Sequence, residues 1–219
     1  MNTLRSDLEP LPVRMRSLPI DERGFVVPWF VDWIETPEGK KPEFRAMNPK
    51  KWILAIRLKL CWVCGERMGK HLVFVAGPMC GINRTSGEPP NHLECARWSV
   101  RNCPFLNNPE MVRREDADIN AGSACVGGIA IRRNPGVSML WTTNSFSVYL
   151  DERGGRLIHM GEPSAVEWYR CGRPATREEV LESVDSGFPV LAEMALKEEG
   201  AMAYLNQQRE RFTRYLPAA

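Results

Sequence analysis

The chain of 219 residues contains no run of 18 apolar residues, so no membrane-spanning helix is expected. Its first residues, Met1 to Asp7, lack the apolar stretch of a secretory leader. The expectation that follows is a cytoplasmic, reducing setting, in which cysteines remain thiols or metal ligands rather than disulfides. The odd cysteine count, seven, points the same way. Histidine is scarce. His71, His92 and His159 are all there are, so any chemistry that needs imidazole must draw on these three. There is no internal repeat and no low-complexity tract.

What is present is enough for a folded core: 43% of residues are apolar, and the length suits one large domain or two small ones. The net charge is only +2, but it is unevenly spread. Residues 1–43 hold 6 basic and 8 acidic groups, residues 44–114 hold 12 and 4, and residues 115–219 hold 11 and 15. A basic middle between acidic flanks points toward a polyanionic partner.

Pro10, Pro12 and Pro19 predict an extended lead-in over residues 1–24. Phe25 to Ile34 reads as a strand disturbed by Pro28, and Glu43 to Met47 as its hairpin return. Asn48-Pro49 predicts an N-cap and first helical residue, with the helix reaching Lys59 and Trp52, Ile53, Ile56 and Leu60 sharing a face. His71–Val75 and Met79–Asn83 read as the two strands of a short hairpin, and His92 opens a helix that stops before Pro104. Strands are expected at Gly128–Ile131, Val137–Thr142, Phe146–Leu150 and Arg156–Met160. Glu162-Pro163-Ser164 reads as the start of a short helix carrying Val166, Trp168 and Tyr169. Thr176 and Glu179 form a capping-box signature for a helix stopped at Gly187, and Pro189–Tyr215 reads as a last helical stretch bent at Gly200.

The most specific pattern is Cys61-x2-Cys64, then 27 residues, then His92-x2-Cys95. Two pairs of soft and borderline ligands match a tetrahedral Zn²⁺, and four protein ligands close its coordination sphere, as structural rather than catalytic zinc requires. His92 and Cys95 stand at i and i+3 on a helix start, so both face one way. Cys80 is an alternative to His92. Cys103, about 12 Å beyond Cys95 along a helix, is too far to share the ion, and Cys125 and Cys171 are isolated.

The knuckle Cys61-Trp62-Val63-Cys64-Gly65, a hairpin at His71–Asn83 and the helix ligands His92 and Cys95 together resemble a treble-clef zinc finger over about residues 59–105. The whole chain resembles bacterial and phage proteins, a likeness that implies no activity. Treble-clef scaffolds also carry His-Asn-His nucleases. That resemblance implies His71 as general base, Asn83 as its orienting partner and a helix histidine holding a divalent ion. His92 cannot serve both that ion and the closed zinc site.

A binding role draws on Lys50, Lys51, Arg57, Lys59, Arg67, Lys70, Arg84, Arg97 and Arg101 for phosphate contacts, with Trp62 expected to be exposed on the knuckle and able to stack on a base. Two further segments, Cys80–Gly87, small and polar, and Gly172–Thr176 with Arg173 at a helix start, read first as a plain turn and a plain helix cap, with an anion site as the alternative. The expectation is therefore an α+β protein: an N-terminal hairpin and helix (1–58), a treble-clef-like zinc module (59–120), and a small antiparallel sheet with C-terminal helices (121–219). Its expected role is zinc-stabilised nucleic-acid binding or regulation on DNA or RNA. The alternatives are a His-Asn-His nuclease and an interaction module that inhibits or recruits a host or cognate protein.

Overall fold

The computed structural model describes residues 2–108 and 134–218. The architecture is mixed α+β with small antiparallel sheets. The chain opens with a lead-in carrying a single 3-10 turn at Val13–Met15. A hairpin follows, β1 (Val31–Thr36) and β2 (Gly39–Met47). The expected strand from Phe25 starts only at Val31, because Pro28 has no N–H for a ladder. Helix α1 (Pro49–Leu58) begins as its sequence dictates, with Asn48 Oδ1 accepting from the N–H groups of Lys50 and Lys51. It buries Trp52 and Ala55, while Ile53 faces outward.

The central layer is a four-stranded sheet in the order β3 (Leu72–Ala76), β5 (Ser138–Thr143), β8 (Pro163–Arg170), β9 (Arg173–Pro174). A second sheet has the order β4 (Thr85–Ser86), β7 (Arg156–Met160), β6 (Phe146–Leu150). Every residue of β5 is buried, as expected of a strand covered on both faces. Successive side chains alternate. Met139 and Trp141 join a large cluster with Trp52, Trp62, Phe74, Val184 and Phe212, and Leu140 joins a small one with Val73, Ala96, Val100 and Tyr169.

The helices are α2 (Pro78–Asn83), α3 (Leu93–Asn102), α4 (Pro104–Asn107), α5 (Arg177–Ala195) and α6 (Ala201–Phe212). Three expectations are corrected. Met79–Asn83 is helical, with Pro78 at its first position, so β3 pairs with the distant β5 rather than with a hairpin mate. Residues 163–170 form β8, because Val166 and Trp168 sit two apart on one sheet face against the large cluster. Helix α5 runs through Gly187 and Pro189 to Ala195. Gly187 is there for close approach: a Cβ would stand 3.1 Å from Met79. The capping box of Thr176 and Glu179 forms as expected. The strand expected at Gly128–Ile131 lies outside the described residues.

Candidate metal centre

Cys61, Cys64, His92 and Cys95 converge, with one ligand atom from each lying within 4.8 Å of all the others. Cys61 and Cys95 are fully buried and Cys64 nearly so, while His92 is half-buried. Zn–S bonds of about 2.3 Å put tetrahedral ligand atoms about 3.8 Å apart, so a modest contraction of this cluster could hold such an ion. Among the described residues Cys80 and Cys103 are not part of this cluster, which leaves His92 as the fourth member.

Local structure builds the cluster. The knuckle is closed by the Cys61 N–H donating to Glu66 O (2.8 Å) and the Gly65 N–H donating to Cys61 O (2.8 Å). Gly65 has φ +77°, and a Cβ there would lie 2.6 Å from the Trp29 ring, so both backbone and space require glycine. Leu60 and Arg67 form a β-bridge across the knuckle's base. The backbone N–H groups of Cys64 and His92 donate to Cys61 Sγ at 3.5 and 3.4 Å, which favours a thiolate.

The tautomer of His92 follows from its partners. Nε2 lies 3.2 Å from Arg67 O, and a carbonyl can only accept, so Nε2 carries the proton. Nδ1, 3.4 Å from Cys64 Sγ, then faces the cluster, where it would lend its lone pair to a bound metal and otherwise holds a proton against the thiolates. An imidazole oriented by a backbone carbonyl is the usual outer support of a ligating histidine.

Protonation reflects four groups competing in one small space. Burial opposes a charge on Cys61, but hydrogen bonds with Cys64, Cys95 and His92 bring its pKa far below that of an ordinary thiol. Contacts with Cys61, then Cys64, push His92 up to about 10 and hold Cys95 far above its usual value. A protein that gathers thiolate charge this way needs a cation, whether proton or metal, to balance it.

One site residue has no obvious sequence signal. Asn91 is buried, and its Oδ1 accepts from the Val63 N–H (3.2 Å) while its Nδ2 donates to Val73 O (3.2 Å). It ties the knuckle, β3 and the start of α3 together. The lead-in also belongs to the site. Met15 is fully buried in the cluster that contains Cys61, Cys64, Cys95 and Trp98, and the Trp98 indole donates to Glu9 O (3.1 Å). Arg14 bridges Glu66 (2.6 Å) and Glu94 (2.8 Å) across the ligand loops.

Trp62 is 1% exposed, not a surface platform. It stacks on Phe30 (4.9 Å between centroids, 9° between planes) and meets Trp29 edge-on. His71 and Asn83 are exposed, at the start of β3 and the end of α2, with no hairpin joining them, and Asn83 Oδ1 is taken by the Thr85 N–H. The expected basic residues divide. Arg84 pairs with Glu162 (2.7 Å), Arg97 with Glu167 (2.7 Å) and Arg101 with Glu9 (3.7 Å). Lys51 donates to Val31 O (3.0 Å). Lys50, Arg57, Lys59, Arg67 and Lys70 are exposed and make no ion pair among the described residues. Arg173 is paired with Glu179, whose carboxylate fills that helix start, so the plain-cap reading of this segment holds.

Comparison with known proteins returned no match to a family model, a curated protein or a solved structure. Among the described residues no helix is long and apolar enough to cross a membrane.

Proposed function

We propose that this chain is a zinc-stabilised nucleic-acid-binding or regulatory protein, in which the Cys61, Cys64, His92, Cys95 centre holds a Zn²⁺ that shapes a cationic surface and takes no part in chemistry. Zinc is the metal suited to three thiolates and one imidazole in a small closed site. The observation that carries the binding role is the charge of residues 49–72: six basic side chains and one acid, Glu66, which Arg14 already engages. The metal centre fixes part of that surface directly, since Lys59 and Arg67 flank the knuckle and Met68 N–H donates to Lys59 O (2.8 Å). Exposed Ile53, Leu54 and Leu58 on α1 lie among these cations and offer apolar contact to sugars or bases.

Two measurements test it. Metal analysis of protein purified without chelator should give about one zinc per chain, and Cys61→Ser should remove it. Fluorescence anisotropy with DNA and RNA oligonucleotides should show binding whose log K falls with log salt at a slope of about −4 to −5 if five cations contact duplex phosphates. Zinc with no salt-dependent binding to any of these probes would leave a structural metal protein and favour the protein-interaction reading.

A further inference from the structure

A cleft of about 240 Å³ lies on the side of the molecule where α2, α6 and the end of β7 meet, and nothing in the metal centre uses it. Arg84, Arg211, Arg214 and Gln208 line it over the rings of Trp141 and Phe212. We propose that this cleft binds a small phosphate-bearing ligand, either inorganic phosphate or a small phosphomonoester.

Three observations support this. Three guanidinium groups face a single carboxylate, Glu162, which leaves the cleft with two uncompensated positive charges. Glu162 is itself held on the protein side, by Arg84 (2.7 Å) and by the Tyr215 hydroxyl. A phosphate monoester dianion matches the remaining charge, and guanidinium is the group best shaped to grip its oxygens in pairs.

The arginines also behave differently from their neighbour. Arg209 on the same helix closes on Asp185 (2.7 Å) and lies over the Phe188 ring. Arg211 and Arg214 make no ion pair among the described residues. Gln208 is only 8% exposed, yet its amide has no hydrogen-bond partner among the described residues, and it faces the cleft. Its amide opens onto the cleft rather than being sealed in the core, so a ligand or water there can reach it.

Finally, Arg84 holds a left-handed backbone (φ 55°) at the C-cap of α2, a position that favours Gly or Asn. Its side chain is fixed by two bonds to Met160 O (3.2 and 3.0 Å) as well as by Glu162. With its guanidinium fixed by these three bonds, Arg84 is a positioned wall of the cleft. Gly81 lets α2 and α6 close on each other, since a Cβ would stand 2.4 Å from the Phe212 ring.

The test is calorimetric titration of the metal-loaded full chain with inorganic phosphate and with ribose 5-phosphate at constant ionic strength. Saturable binding of at least one is expected, weakened about tenfold or more in the double variant Arg211→Gln/Arg214→Gln, whose side chains are exposed and whose circular dichroism should be unchanged. Tighter binding of ribose 5-phosphate assigns a phosphomonoester, and equal or tighter binding of phosphate assigns the free anion. Arg153→Gln, on the far turn between β6 and β7, should bind as wild type. Absence of binding by both probes, or equal binding by the double variant, overturns the proposal. So does a double variant that loses oligonucleotide binding while keeping phosphate binding, because the arginines would then belong to a polyanion surface.

Discussion

His92 Nε2 and the carbonyl oxygen of Arg67 lie 3.2 Å apart, so the imidazole that faces the metal centre through Nδ1 also fixes the backbone of a residue on the basic surface. This contact joins the two halves of the proposed function. Replacing His92 by Cys keeps a four-ligand set and deletes that bond. His92→Cys should retain about one zinc per chain, lose amide protection over residues 66–70 in hydrogen exchange, and bind oligonucleotide more weakly than wild type. Unchanged binding with unchanged protection would separate the metal from the surface.

The cations should not be equivalent. Arg57→Gln and Arg67→Gln, at residues with no ion pair among those described, should each lower the salt slope by about 1. Arg97→Gln should leave the slope unchanged, because Arg97 is held by Glu167 at 2.9 and 2.7 Å. An equal response at all three positions would count against a surface centred on α1 and the knuckle.

Two buried tryptophans should respond differently to the same change. The Trp52 indole donates to Gly87 O (2.8 Å), while Trp62 Nε1 is buried with no partner among the described residues. Trp52→Phe loses a satisfied bond and leaves an acceptor behind, at a cost of about 1–3 kcal/mol. Trp62→Phe removes an unsatisfied donor and keeps the stack on Phe30, so its cost in urea unfolding should be the smaller of the two. The reverse order would mean that Trp62 Nε1 has a partner after all.

How much of this was legible in sequence depends on where the deciding partner sits. The ligand pairs and the caps at Asn48 and Thr176 are local, so spacing alone reveals them. The fate of Trp62 depends on Trp29 and Phe30, more than thirty residues upstream, and nothing within the knuckle reports that. Residues 79–83 are too few for any period to show, although Gly77-Pro78 was a usable helix-start signal. The Val166/Trp168 alternation was visible, but Glu162-Pro163-Ser164 looked like a cap. Asn91 was invisible because one polar residue before a helix has many ordinary readings.

Acid should act on the C-terminal helix pair through Glu179. The Arg173 guanidinium, with the Thr176 N–H, pulls this carboxyl down to about 2. A lowered folded-state pKa gives stability that is full above the unfolded value, about 4.3, and is lost as pH falls through the folded one. Glu179→Gln should therefore be less stable than wild type at neutral pH, and the gap should narrow as pH falls from about 4.3 toward 2. Metal loss in acid affects both proteins alike, so the difference between them is the quantity to follow in pH-dependent melts.

Gly65→Ala meets two obstacles at once, a left-handed backbone and the Trp29 ring. It should lower stability by about 2–4 kcal/mol and accelerate zinc loss to a chelator. Gly154→Ala is the reference: its φ is similarly positive (+78°) but nothing lies within 4 Å, so it should cost only the backbone share, about 1 kcal/mol.

The burial of Met15, which the lead-in plants in the cysteine cluster, has a kinetic meaning for the proposed metal. With Cys61 and Cys95 at 0% exposure and Cys64 at 7%, a chelator would reach little of a bound ion beyond the edges of His92 and Cys64 until residues 9–15 lift away. Exchange of a bound ion would then be timed by that local opening rather than by the strength of the metal–ligand bonds. A chain shortened through Arg16 would hold the same four ligands, yet trade its zinc with the surroundings far faster.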